Sequence, residues 1–247
     1  ADLELEAFAH GAMCMAYSGR CLISDYTTGR SALRGHCAQS CRWSYALVEE
    51  KRPGEYYGVE EDDNGTYIMN AQDMNMLAHV HEMAAAGIDS IKIEGRNKKA
   101  YYVATVVNAY RQVLDGADAA DFAAELETVS HRPYGTGFYF GPAHQTHASV
   151  DYIRQWEWAA EVLSCEPADG GYICELRCRN RFEIGATMEL MSPHKPVQPV
   201  ELRDMEFIGG KEDEEPFPTD VANRTNELYR ATSNIALAPH DIIRVKR

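Results

Sequence analysis

The sequence contains no run of 18 apolar residues, so no stretch of it reads as a membrane-crossing helix. It is short of positive charge: 24 Lys and Arg stand against 38 Asp and Glu, a formal net charge of −14. That balance argues against indiscriminate binding to nucleic acid. No Gly-x-Ser-x-Gly elbow is present and no Ser, His, Asp set stands out, so a serine-hydrolase mechanism has no support in the motifs. Nothing indicates an oxidising compartment, and seven cysteines leave an odd one over, which counts against a disulfide framework. The expected setting is the cytoplasm, with no membrane partner. At 247 residues and 45% hydrophobic content, the chain can bury a core as one large or two moderate domains.

Four of the seven cysteines fall early: Cys14, Cys21, Cys37 and Cys41, separated by six, fifteen and three residues. Leu3, Leu5 and Ala7 alternate with Glu4 and Glu6, which reads as a strand entering this stretch. Gly11 and Gly19 are expected to break it, leaving Cys14 and Cys21 on loops at one strand end, where α/β proteins place chemistry. A structural zinc usually has a tight Cys-x2-4-Cys knuckle on each side; only Cys37-x3-Cys41 qualifies. An iron–sulfur cluster is larger and accepts irregular spacings. Some of the four serving only as small buried hydrophobes is the plainer alternative. Spacing favours metal or cluster binding and does not choose between zinc and iron.

Residues 44–66 are polar and turn-rich, with Arg52-Pro53-Gly54 and the hairpin-type cluster Asp62-Asp63-Asn64-Gly65. Tyr67–Met69 reads as a short strand. Asn70 is then expected to cap a helix to about Ala86, with Asp73 in its first turn and Gly87 ending it. Ile88–Ile93 is the next strand, and Glu94-Gly95-Arg96 leaves its C-terminal end. Residues 98–114 form the clearest helix, with Val103, Val106, Val107, Tyr110 and Leu114 on one stripe. A third helix is expected over Ala119–Val129. This βαβα order is that of a parallel sheet or a partial TIM-like α/β barrel. From about Asp151 the chain turns to short β-type runs (156–163, 172–178, 187–191, 200–207 and 242–245), expected as a small all-β barrel. The domain reading is 1–130 for the α/β part with the cysteines, 131–150 as a connector and 151–247 for the β-barrel. Glu212–Glu215 is expected to be a solvated loop.

Candidate site residues beside the cysteines follow from position. His10 precedes Gly11 at a strand end and can orient substrate, donate a proton or merely hold the loop. Glu6 and Glu94 are expected to face one cavity from two strand ends, unless they pair with Arg20 or Arg96. Arg20, Arg30, Arg34 and Arg42 face only Asp25, and Lys92, Arg96, Lys98 and Lys99 form a second basic group, so an acidic protein can still be basic where it matters. Arg96 follows Gly95 just ahead of a helix N-terminus, an arrangement suited to a carboxylate or phosphate. Ser18 and Ser24 sit among the cysteines without an evident base. His79-Val80-His81-Glu82 lacks the spacing of a His-Glu-x-x-His zinc site. Cys174 and Cys178 are expected on a core-facing strand side with Leu176, and Cys165 has no partner motif.

Glu6, Phe8, Gly11, Cys14, Gly19, Cys21 and Ser24 together meet every fixed position of the signature of the collagenase-like peptidases, a family whose catalytic type was never established. Cys37–Trp43, Lys92-Ile93-Glu94-Gly95-Arg96-Asn97-Lys98 and His131–Phe138 resemble that family too. The chain is most similar to members that take part in making 5-hydroxyuridine at the tRNA wobble position. Related members hydroxylate a ribosomal RNA cytidine or ubiquinone without dioxygen. The resemblance implies a 4Fe-4S cluster on Cys14, Cys21, Cys37 and Cys41. It further implies prephenate as a small carboxylate co-substrate and tRNA as partner; the catalytic candidates His10, Arg20, Glu94 and Arg96 rest on their positions, with Arg96 or Arg20 expected to hold the carboxylate. Members have a further stretch ahead of the signature that forms the first half of an α/β barrel. This chain is therefore expected to be the C-terminal portion of a longer protein, its missing N-terminal half acting as a partner. Two rivals stand beside this expectation: a collagenase-like peptidase, and a non-enzymatic zinc-stabilised module whose β-barrel binds RNA or protein.

Overall fold

A computed structural model of the chain describes residues 3–14, 21–43, 46–47, 57–58, 72–141, 155–209 and 215–247, and for residues 42, 46–47 and 57–58 the backbone alone. Expectations for Ser18, Gly19, Arg20, the 62–65 turn, the 67–69 strand, the Asn70 cap and residues 212–214 lie outside the described residues. The chain divides into two compact units, Ala1–Gly95 with His131–Tyr152, and Arg96–Ser130 with Ile153–Arg247.

In the first unit, β1 (Glu6–Ala12) leads through α1 (Ile23–Thr28) to the short pair β2 (Ala46–Leu47) and β3 (Tyr57–Gly58). Then come β4 (Asp73–Asn75), α2 (Val80–Ala85), β5 (Ser90–Glu94) and β6 (Tyr134–Gly135). The main sheet has the order β5-β1-β4-β6. Strands β1 and β5 are parallel, as are β4 and β6, but β1 and β4 run antiparallel. The sheet is therefore mixed and open, and the expected parallel partial barrel is not formed among the described residues. The cause lies at Asp73. Its carboxylate is taken by Arg132, so residues 73–75 extend as a strand in place of a helical first turn. Asn75 Oδ1 then accepts the Leu77 N–H and starts a 3-10 turn at Leu77–His79, and the α-helix begins only at Val80.

Gly11 does not break β1. It lies inside the strand at φ 118°, directly opposite Glu94, and a Cβ there would stand 2.5 Å from the Glu94 carbonyl oxygen. The glycine is what lets β1 and β5 approach.

In the second unit, α3 (Ala100–Leu114) and α4 (Ala119–Leu126) precede the strands, with Asp118 capping α4 through the Ala120 N–H. The buried stripe of α3 is Tyr102, Val106, Ala109, Tyr110 and Val113, turned from the expected one, and Val107 is exposed. The strands are β7 (Trp156–Ala168), β8 (Gly171–Cys178), β9 (Phe182–Glu183), β10 (Met188–Met191), β11 (Gln198–Pro199), β12 (Leu202–Gly209), β13 (Phe217–Pro218), β14 (Val221–Ala222), β15 (Leu228–Ser233) and β16 (Ile242–Lys246). Eight of them form one antiparallel sheet, β11-β10-β16-β7-β8-β15-β12-β13, over a core that includes Val162, Leu176, Leu190, Phe207, Tyr229 and Ile243. The all-β character agrees with expectation. Closure does not, because the edges β11 and β13 are not paired to each other. Cys174 and Cys178 are core residues. Cys165, for which the sequence offers no partner, sits opposite Cys174 and is joined to it as a disulfide. No helix among the described residues is long and apolar enough to cross a membrane.

Candidate active site at one end of the four-stranded sheet

Strand register collects the site. Gly11 pairs with Glu94, Ala12 with Asp73, and Asp73 with Tyr134. The C-terminal ends of β1 and β5 and the N-terminal ends of β4 and β6 therefore meet on one side, and Cys14 leaves β1 there. Glu6 does not belong to this group. It starts β1, opposite Ser90, and bonds Lys92 at 2.8 Å on the surface. The lysine's hydrogen bond and charge hold its carboxyl below the usual range.

Three rings pack together at this end, one pair stacked and one tilted. His131 lies parallel to Tyr134 at 4.3 Å between centroids, and His10 packs at 5.3 Å on Tyr134. Both histidines are buried. His131 Nδ1 is 2.7 Å from the Arg132 carbonyl oxygen, so in the neutral ring it carries the proton and Nε2 is the acceptor. Next to it Arg132 donates from Nη2 and Nε to Asp73 Oδ1, at 2.8 and 3.2 Å, and the Arg132 amide donates to Oδ2. The two side chains are 2% and 0% exposed. A pair this dry keeps its charges only because each answers the other, and it locks β4 to the chain entering β6. Asp73, His131, Arg132 and Tyr134 carry this end of the sheet, and sequence reasoning assigned none of them a site role. The one available signal was the His131–Phe138 stretch.

The cysteines stand on the adjoining segment. Cys14 is exposed, two residues beyond β1; Cys21, Cys37 and Cys41 are half-buried, and none of the four is in a disulfide. Cys21 precedes α1. Ser24, inside that helix, donates to the Arg30 carbonyl and accepts the Ala38 N–H, and Thr27 Oγ1 meets Ser40 Oγ at 2.6 Å. These bonds fasten the Cys37–Cys41 loop onto α1. They also occupy Ser24 as both donor and acceptor, which removes it as a nucleophile. Cys37 Sγ accepts the Gln39 N–H at 3.3 Å, the type of bond that steadies a thiolate ligand. As a donor set, four cysteine sulfurs suit zinc or an iron–sulfur cluster. Among the described residues, however, no three His, Cys, Asp or Glu side chains are gathered closely enough to hold a metal ion. Glu94 is half-buried at its strand end. Arg96 is exposed in the turn beyond it, four residues before α3, and belongs to the other unit. His79 bonds Glu82 at 2.8 Å and packs on Phe140, so it is tied into the surface rather than into a zinc site.

Residues 1–149 match the domain described as Peptidase family U32, and residues 154–244 match the Peptidase family U32 C-terminal domain. The chain belongs to peptidase family U32. Among its relatives, tRNA hydroxylation protein P of Escherichia coli is 32% identical over 85% of this chain and 56% of its own length. The tRNA hydroxylation protein P1 of Bacillus subtilis is 35% identical over 78% of this chain and 47% of its own. A protein named Collagenase from Porphyromonas gingivalis is 35% identical over 56% of this chain and 34% of its own. The chain thus spans about half the length of the tRNA hydroxylation relatives.

Proposed function

We propose that this chain is the C-terminal portion of a U32 tRNA hydroxylation protein that takes part in hydroxylating wobble uridine in the cytoplasm, with prephenate as carboxylate co-substrate. The observation that carries the reading is the similarity to tRNA hydroxylation proteins across more than three quarters of the chain. On this reading the preceding half completes an α/β barrel around the mixed sheet. Cys14, Cys21, Cys37 and Cys41 would hold a 4Fe-4S cluster, for which four sulfurs outside any disulfide and the Gln39 bond to Cys37 are suited. A cluster bound there would supply electron-transfer and Lewis-acid chemistry. Arg96, or Arg20, would grip the co-substrate's carboxylate through a planar fork. His131 and His10, packed on Tyr134, would line the site at the end of the sheet where Glu94 closes its strand. The collagenase relative supports a peptidase reading, but the fully engaged Ser24 speaks against a serine nucleophile there.

The deciding measurement is mass spectrometry of total tRNA nucleosides from cells lacking the whole protein and any redundant enzyme. Loss of hydroxylated wobble uridine is expected; normal levels would overturn the reading. Anaerobic purification with iron and zinc analysis tests the cluster. Iron with brown absorption, lost on replacing any of the four cysteines with alanine, is expected. Zinc without iron would favour a structural module, and gelatin cleavage that survives chelation and Cys14→Ala would favour the peptidase.

A further inference from the structure

In the second unit, the sheet edge at β13 borders a half-open cavity of about 230 Å³ lined by Phe217, Thr219, Val221, Asn223, Arg224 and Tyr229. That is smaller than the roughly 300–1,000 Å³ of clefts for drug-sized ligands, and it suits one flat ring. Its walls are preformed. Tyr229 is buried, and its hydroxyl accepts the N–H groups of Asn223 and Arg224 at 3.3 and 3.2 Å. Thr219 Oγ1 closes the turn ahead of them by accepting the Val221 N–H and donating to the Val221 carbonyl. The backbone so fixed holds the Arg224 guanidinium 4.5 Å over the ring of Phe207 and 5.8 Å from that of Phe217. Phe207 is completely buried beneath that guanidinium and does not line the cavity, whereas Phe217 lines it and stays 40% exposed.

We propose that this cavity is a stacking pocket for one unpaired nucleobase of an RNA loop. The proposal rests on the tRNA reading above. A planar guanidinium and an aromatic face are the two surfaces that bases stack on, and the Asn223 amide supplies a donor and an acceptor for a base edge. Among the described residues Arg224 is the one charged residue of the lining, and Glu215 and Asp220 are close by in sequence. The pocket therefore takes a ring and makes few phosphate contacts.

The test measures affinity of the whole protein for a stem-loop RNA with a seven-nucleotide loop, and for a blunt duplex of equal length, across a salt series. Phe217→Leu keeps an apolar side chain and Arg224→Lys keeps the charge; both lose the flat face. Each is expected to weaken stem-loop binding by about fivefold or more, the least that loss of one base stack costs. Duplex binding should be unchanged, and for Phe217→Leu the salt slope should not move, since no phosphate contact is lost. Unchanged stem-loop affinity in both variants, with circular dichroism of the native protein, overturns the pocket and leaves the tRNA reading standing. Failure of the unaltered protein to bind the stem-loop overturns both. Loss of binding to an aromatic-rich peptide in place of RNA would assign the pocket to a protein partner and overturn it as well.

Discussion

Gly11 and the pair Asp73–Arg132 hold the sheet end together by opposite means, one by lacking a side chain and the other by filling a dry space with charge. At Gly11 a methyl group would meet the Glu94 backbone at 2.5 Å and its Cβ at 2.8 Å, with φ at 118°. Strain and overpacking together put Gly11→Ala at roughly 2 kcal/mol or more of lost stability. Gly29→Ala is the control. Its φ is 68° and nothing lies within 4 Å, so the cost should stay near 1 kcal/mol. Urea titration of both variants checks the difference, and equal midpoints would show that β1 and β5 can part without penalty. Removing one member of the buried pair leaves a charge without its answer. Arg132→Met or Asp73→Asn alone should cost about 3–5 kcal/mol. The double variant should cost clearly less than the sum, because the two residues touch. Additive losses would mean that each residue acts through other neighbours.

Element by element, the β7–β8 pair shows how surface charge supports a sheet. Glu161 on β7 meets Arg179 at 2.6 Å, with Arg177 and His240 nearby. Burial alone would raise its pKa, but Arg179 first, then His240 and Arg177, outweigh it and hold the carboxyl below the usual range. A carboxyl with a depressed folded pKa stabilises above its unfolded value and loses that contribution as pH falls through the folded one. Glu161→Gln should therefore be less stable than the parent at pH 7, and the gap should close as pH falls through and below the ordinary glutamate range. A gap independent of pH would show that the contribution is packing alone.

The same elements show what could be read in advance. Strands β7, β8, β10, β12 and β16 and helix α3 announced themselves by period, because their buried faces carry large apolar residues. Strand β15 did not, since Ala231 and Ser233 turn inward beside Tyr229 and neither looks like core. The helix expected from Asn70 failed because Asp73 answers Arg132, a residue 59 positions away, and local propensity is blind to that distance. The four cysteines, His10 and Glu94 stand out in the sequence through spacing and glycine punctuation. The Asp73–Arg132 pair and the His131–Tyr134–His10 stack needed the fold.

At the scale of the whole molecule, α3 and α4 pack within the unit that contains the C-terminal sheet, and one side chain shows how firmly. Arg244 of β16 is 2% exposed. It donates to Glu125 of α4 at 2.6 and 3.0 Å and to Glu189 of β10 at 2.5 and 2.9 Å, and lies 4.7 Å over the Trp156 ring. Burial works against its charge, yet the two carboxylates more than offset this and raise its pKa above the ordinary arginine value. Along α3, Thr105 reaches Met191, and Asn108 and Gln112 both donate to the Lys195 carbonyl. A fragment of residues 153–247 would keep the strands but leave Arg244 with one carboxylate and uncover the surface around Met191. A fragment of residues 96–247 keeps both helices. The longer fragment should be more stable by about 3 kcal/mol or more, the scale of breaking a buried charge pair, as judged by urea midpoints at equal concentration. Glu125→Gln in the longer fragment should reproduce part of that loss while α3 stays docked. If both fragments unfold at the same midpoint, the helices add nothing to the sheet, and the ties from α3 and α4 contribute no stability.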